Sequence, residues 1–376
     1  MFFTVSPFFY SRLEKSLTTI IEKMTVSLIL ADGTSYKGES FGYGQPVSGE
    51  LVFNTAMAGY PEILTEPASR GQLIVMTYPV IGNYGIQPMS ADENGLPTNA
   101  ESEHAQARAL IVSDKSDFYS HWNAKESLED WMKREKVVGI EGVDTRELTK
   151  HIRNHGSMTA KILFDGKQKP EEYAYTNLLP EVSVKEPVTY NEGGSKTVVL
   201  VDCGVKAGVV RCLINEDLKV VRVPWNYNYS KIKMDGLVIS DGPGNPSYCS
   251  EVVTALQKFM AKNDTPILGI GMGCLLLGLA GGMDTYKLKF GHHTQNQPVQ
   301  LVGTDRCYIT TQNHNYAIRE DSVVGQWKVY LKNLNDGSVE GIYNTRKPWV
   351  GVMFHSESDQ VKTDAKFIYD DFVSKL

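Results

Sequence analysis

Residues 265–282 read TPILGIGMGCLLLGLAGG. TPILGI is an apolar run of strand length, MGCLLLGLA is an apolar run of helix length, and glycines join them. A strand that passes directly into a helix is one unit of a sheet covered on both faces. The flanking sequence repeats the pattern. TVVLVDCG (197–204), LKVVRVP (218–224) and DGLVIS (235–240) are apolar strands, and AGVVRCLINE (207–216) and EVVTALQKFMAKN (251–263) have helical spacing. The second half is therefore α/β with a parallel sheet, and its chemistry is expected at the carboxyl ends of the strands.

The first half reads differently. TVSLILADG (25–33) and SYKGESFG (35–42) alternate around a Gly turn as a hairpin, and strand-like runs follow at 50–60 and 72–78. Helical spacing marks 124–135 and 144–155, the second opened by Asp144 with Glu147 at capping-box distance. SMTAKILF (157–164) closes a mostly β domain over 24–180. The stretch 181–196, with Pro187, Gly193 and Gly194, reads as a linker to a domain over 197–376. Residues 1–23 read as an extension outside the fold, with an ordinary terminal helix as the alternative. No positive residue precedes its phenylalanines, and Arg12, Lys15 and Lys23 are offset by Glu14 and Glu22, which fits neither a signal peptide nor a mitochondrial leader.

Composition bounds the partners. The chain has 376 residues, 41% of them hydrophobic and 22% charged, with a formal net charge of −6. That excludes fibrous and disordered classes and gives no general attraction to nucleic acid or anionic lipid. No apolar run reaches the ~18 residues of a membrane span. The five cysteines, Cys203, Cys212, Cys249, Cys274 and Cys307, form no CxxC pair. They suggest neither a disulfide framework nor a zinc site, and they suit a reducing cytoplasm or organelle matrix.

Gly269 and Gly273 flank position 271 in the G-x-Nu-x-G layout of a nucleophile elbow, but position 271 is itself glycine. SDGPGNP (240–246) is another strand-end turn. VGVMFHSES (350–358) reads as a strand ending on His355, with Glu357 two residues on and on the same face, as a base oriented by a carboxylate would be. GPGNP and GIGMG lack the Lys-Ser/Thr of a P-loop. His292 and His293 have no third ligand at metal spacing, so no metal site is expected. Trp225, Tyr227 and Tyr229, without basic neighbours, read as packing residues.

Taken in order, these segments resemble the class I glutamine amidotransferases. There an elbow Cys attacks the glutamine side-chain amide, a His–Glu pair activates it, and ammonia leaves. FNTAMAGYPEILTEPASRGQLIVMTYPVIGNYG (53–85) and GVDTRELTKHIRNHGSM (142–158) resemble the N-terminal domain of the carbamoyl-phosphate synthase small chain, and KFGHHTQNQPV (289–299) and TTQNHNYAI (310–318) also stand at that family's places. The implied architecture is a C-terminal amidotransferase domain preceded by a mostly β small-chain domain. The resemblance maps the nucleophile to Gly271, the base to His355 and its orienting acid to Glu357. It maps glutamine-binding positions to Ala56, Gly242, Gly244, Met272, Leu275, Asn313, Asn315 and Tyr316. Several depart from the family: Ala56 stands for Ser, Leu275 for Gln, and Asn315-Tyr316 for Gly-Phe, while the turn N-G-P-G-D-P begins with Asp241.

Glycine cannot form the thioester, so glutamine hydrolysis is expected to be lost and glutamine binding weak or absent. Cys274 does not replace the nucleophile, because three helical residues turn it by ~300° and raise it ~4.5 Å. The resemblance implies a large partner chain that holds ATP and a divalent metal, no cofactor in this chain, and service to pyrimidine or arginine synthesis. Two alternatives are a regulatory or decoy binding protein and a glutaminase with unusual chemistry.

Overall fold

The structure, a computed structural model, describes residues 24–357 and 364–376. The expected extension over 1–23 lies outside the described residues. Period-two patterning closes the first half into a barrel. Its strands run in the order Thr25–Leu30, Ser35–Gly42, Val138–Glu141, Ala109–Ile111, Gln72–Met76, Val47–Asn54 and Met158–Phe164, and the last pairs back to the first. Every strand feeds one shared interior cluster that includes Leu28, Leu51, Leu73, Ala109, Ile140 and Ile162. The alternate residues, Val52, Ile74 and Leu110 among them, pack against helices Tyr60–Thr65 and Leu128–Glu135. The second of these begins later than its spacing suggests, because the Ser127 hydroxyl caps it by accepting from the Asp130 amide. Helix Thr145–His155 is capped as expected, the Glu147 amide donating to Asp144 Oδ1 at 2.8 Å.

The stretch 181–196 is more ordered than a linker. It completes the short helix Leu179–Val182 and supplies the edge strand Val188–Tyr190, which pairs antiparallel with Leu218–Pro224. Ten strands follow in the order Val188–Tyr190, Leu218–Pro224, Lys196–Asp202, Gly236–Ile239, Ile267–Ile270, Trp349–Val352, Val339–Asn344, Cys307–Ile318, Thr285–Leu301 and Trp327–Asn333. The run from Leu218–Pro224 to Trp349–Val352 is parallel. The remainder is antiparallel, so the sheet is mixed rather than all parallel. The reason is local: only 302–306 joins the two longest strands, too few residues for a parallel crossover.

In the parallel part, neighbouring residues of one strand serve opposite layers. Val198 and Leu200 pack with Val209, Val210 and Phe372, whereas Val199 and Val201 pack with Val252, Leu256 and Leu276. A strand buried on both faces is thus apolar throughout. The strands ending at Asp202, Ile239, Ile270 and Val352 are neighbours, so the turns that follow them share one rim of the sheet. Among the described residues no helix is long and apolar enough to cross a membrane.

The barrel seats on the sheet through polar contacts. The Thr55 amide donates to the His293 carbonyl at 3.1 Å, and Ala207 to Glu101 at 2.9 Å. Buried Glu50 accepts from Lys287 Nζ at 2.5 Å, Asn315 Nδ2 at 3.2 Å and the Tyr175 hydroxyl at 3.3 Å.

The antiparallel end holds a buried ion cluster. His292 places Nε2 2.9 Å from Asp336 Oδ2 and Nδ1 3.1 Å from Glu340 Oε1. Burial pushes the ring's pKa down, but the two carboxylates outweigh it and hold the ring at about 9. With the folded value above the unfolded ~6.5, this contribution is complete below pH ~6.5 and is lost as pH rises through about 9. We expect the stability advantage of the native chain over His292→Gln to shrink between pH 6 and 9.5, by on the order of 3 kcal/mol. Urea unfolding at several pH values measures it, and a difference constant over that range would contradict the assignment.

Candidate active site

Gly271 ends the strand Ile267–Ile270 and caps the helix Met272–Ala280, with φ 53° and ψ −114°. Its amide donates to the Val352 carbonyl at 2.8 Å, and its carbonyl accepts from the Cys274 amide at 3.0 Å. The turn is tight: a Cβ at Gly273 would lie 2.0 Å from the Ile239 carbonyl oxygen. The elbow is therefore fully built. At Gly271 itself a Cβ would be strained by the positive φ and would lie 2.2 Å from Asp241 Oδ1.

That carboxylate occupies the place of the missing side chain. Asp241 follows the strand Gly236–Ile239, and its Oδ1 accepts from the Met272 amide at 2.6 Å. The amide after an elbow nucleophile is the one that would otherwise stabilise an oxyanion. An anion there is also favoured by the amino end of the helix.

His355 lies across the crevice. Its strand stops at Val352, and the residue is held instead by a bridge in which its amide donates to the Thr311 carbonyl at 2.8 Å. The pairing with Glu357 thus comes from a bend, not from a shared strand face. His355 Nδ1 is 2.7 Å from Glu357 Oε1, and Glu357 Oε2 accepts from the Ser356 amide at 2.8 Å. His355 Nε2 lies 2.9 Å from Asp241 Oδ2 and 3.3 Å from Glu66 Oε1, ion-pair distances whose directions make no hydrogen bond. Lys206 Nζ stands 3.6 Å from Glu357 and 3.5 Å from Glu101.

Burial and the Lys206 ammonium push the His355 ring down, but Glu357 and Asp241 prevail and hold it at about 10. Burial lifts Glu357, yet His355 and Lys206 bring it down to about 2. Burial raises Glu66, with Lys206 and His355 opposing. The site thus has glycine at the tip of the elbow, a following amide already engaged by a carboxylate, and a histidine whose basicity the surrounding carboxylates raise.

Gly242, Gly244, Met272, Leu275, Asn313, Asn315 and Tyr316 line one cavity with Asp241. Ala56 does not reach it. Its amide donates to Asn54 Oδ1, and its side chain packs in the barrel's outer cluster. Ala68, from the turn after helix Tyr60–Thr65, takes that wall instead, and Tyr173, Tyr175 and Leu178 close another. The cavity measures about 30 Å³, room for about one or two waters. Cys274 is fully buried, and a Cβ at Gly351 would meet its Sγ, so it faces the sheet and not the crevice. Burial also raises its thiol pKa.

Sequence reading missed Glu66, Ala68, Glu101 and Lys206, and it quoted Asp241 only as a departure in a turn. The one signal available was the acid at Asp241 in a Gly-Pro turn beside an elbow without a nucleophile. Glu66, Glu101 and Lys206 line a second cavity of about 250 Å³ between the barrel and the sheet.

A family model described as "Carbamoyl-phosphate synthase small chain, CPSase domain" matches residues 28–162, and one for class-I glutamine amidotransferase matches 199–375. The arginine-specific carbamoyl phosphate synthase small chain of Chaetomium globosum is 39% identical over 368 residues, covering 96% of this chain and 80% of that protein. The chain belongs to the carbamoyl-phosphate synthase small-chain family. It is also 41% identical to mitochondrial carbamoyl-phosphate synthase [ammonia] of Homo sapiens over 95% of this chain, and to multifunctional protein CAD of Squalus acanthias over 92%. The chain spans only 24% and 16% of those two proteins.

Gly271 and Asp241 belong together sterically. Loss of the Cβ at 271 leaves the space that the Asp241 carboxylate fills. We expect Gly271→Cys alone to cost ~1–3 kcal/mol of stability and to label slowly at position 271 with iodoacetamide. Adding Asp241→Ala should speed labelling at least ~10-fold, because the thiol then faces the His355 imidazolium unobstructed. Peptide mass spectrometry reads both rates, and equal rates would show that the carboxylate does not hold the nucleophile's space.

Proposed function

We propose that this chain is the small-chain component of a carbamoyl phosphate synthase that runs on ammonia, its own glutamine hydrolysis having been lost. The observation that carries this reading is the Asp241 carboxylate on the Met272 amide, in the volume a Cys at 271 would need. Loss of an enzyme's nucleophile costs a factor of ~10⁶ in rate, about 8 kcal/mol of transition-state stabilisation. Water is a poor substitute, since the carboxylates around His355 favour its protonated form. Leu275 and Ala68 offer glutamine no polar side chain in the cavity that Gly242 and Gly244 line.

The small-chain frame supports a role as scaffold for a large, ATP-dependent chain, which would hold the ATP and divalent metal of the synthesis. The human relative's name carries the word ammonia, in line with the chemistry lost here. Service to arginine or pyrimidine synthesis fits the family. No disulfide joins any of the five cysteines, which suits a reducing cytoplasm or organelle matrix.

Co-expression with the cognate large chain tests the reading. The two should co-elute on gel filtration, and the complex should make carbamoyl phosphate from ammonium salts and not from glutamine. Comparable rates from glutamine would overturn the loss of hydrolysis. Failure to co-elute at micromolar concentration would favour a regulatory or decoy binding role.

A further inference from the structure

Two groups of buried histidines and acids occur among the described residues, His292–His314–Glu340 and Glu66–Asp241–His355. They differ in one respect. In the first, the His292 nitrogens and the carboxylates satisfy one another, and Gln312 and Asn333 donate to Glu340. In the second, Glu66 Oε1, Asp241 Oδ2 and His355 Nε2 are all buried and stand at ion-pair distance, but none has a hydrogen bond of proper direction. Glu66 is 7% exposed, Asp241 4% and His355 1%. Leaving one such group unsatisfied costs ~1–3 kcal/mol. Three of them, from three separate segments, meet within 4.8 Å of one another.

We propose that Glu66, Asp241 and His355 bind one divalent cation of the zinc class. The spacing fits. Donors ~2.1 Å from a shared ion lie ~3.0 Å apart at a right angle and ~3.4 Å apart at the tetrahedral angle. Nε2 is 2.9 Å from Asp241 Oδ2 and 3.3 Å from Glu66 Oε1. The supporting contacts fit as well. Glu357 sits on Nδ1, which leaves Nε2 as the ligating nitrogen, the usual second contact of a metal-bound imidazole. Asp241 keeps one oxygen on the Met272 amide and offers the other.

Charge points the same way. Glu101 and Glu357 lie within 3.6 Å of the Lys206 ammonium, and Glu66 and Asp241 face His355, so four carboxylates outnumber these two cationic groups and a dication offsets the excess of negative charge. One imidazole and two carboxylates suit Zn²⁺, Co²⁺ or Mn²⁺, and they are too few oxygens for Ca²⁺. Three protein ligands leave a position for water, and the 250 Å³ cavity that Glu66 lines provides an entry path. Binding displaces the proton on Nε2 to solvent. His355 then serves as a ligand rather than as a base. This site does not depend on the ammonia-linked reading, because it needs neither glutamine nor a large chain.

The test uses the full chain alone, stripped with a chelator and titrated with Zn²⁺. Calorimetry and elemental analysis after desalting should give one ion per chain. Asp241→Asn, Glu66→Gln and His355→Gln should each weaken binding at least tenfold, with circular dichroism confirming that they fold. His292→Gln and Cys307→Ser should leave it unchanged. Co²⁺ should give the visible absorption of a low-symmetry site, and Asp241→Asn should remove it. Absence of binding to the native chain would overturn the proposal. So would binding that survives Asp241→Asn but is lost in His292→Gln or Cys307→Ser.

Discussion

The Asp241 carboxylate and a side chain at position 271 cannot share the same space. Oδ1 sits 2.2 Å from where that Cβ would stand, so the crevice holds either a nucleophile or this anion. The anion is held by the Met272 amide and by the helix that begins there, and it faces His355. The Met272 amide is engaged as a result, and the orphaned atoms beside His355 gather around the same carboxylate. Gly271 and Asp241 together thus set the shape and charge of this crevice.

The rest of the molecule preserves the frame around that change. The elbow keeps its sharp backbone, and Gly273 still permits the close pass of the Ile239 carbonyl. The barrel is part of the site rather than an appendage, because Ala68 walls one cavity and Glu66 joins the other. Its seat on the sheet is polar, centred on Glu50, so the relative placement depends on directional bonds as well as on area. A pocket built across such a junction closes when a few side chains change, without any change in either core.

The two buried histidine clusters show how similar residues reach different ends. His292 has a carboxylate on each nitrogen and ties the antiparallel strands together. His355 has one properly directed partner, Glu357, and three unsatisfied atoms, its own Nε2 included, mark the other side of its ring. Complete satisfaction reads as structure, and convergent orphans read as a place for a ligand.

Much of the fold was legible because it rests on periodicity and turn chemistry. VVLV and PILGI are apolar at every position since both faces of their strands are buried, and the 25–42 hairpin and the Asp144 cap are local devices. The elbow with glycine at its tip was legible too, because Gly269 and Gly273 flank Gly271 between a strand and a helix. The mixed sheet, the edge strand within 181–196 and the bend at His355 depend on pairings between distant segments that no local pattern records. The same holds for the site's other half. Glu66, Glu101 and Lys206 sit in stretches with no motif, and Ala56 and Ala68 look equally bland. Sequence by itself determined the strands, the elbow and what is missing from it. Only the tertiary structure decided what fills the gap, because closing the barrel onto the rim of the sheet brings charges from separate segments within hydrogen-bond distance.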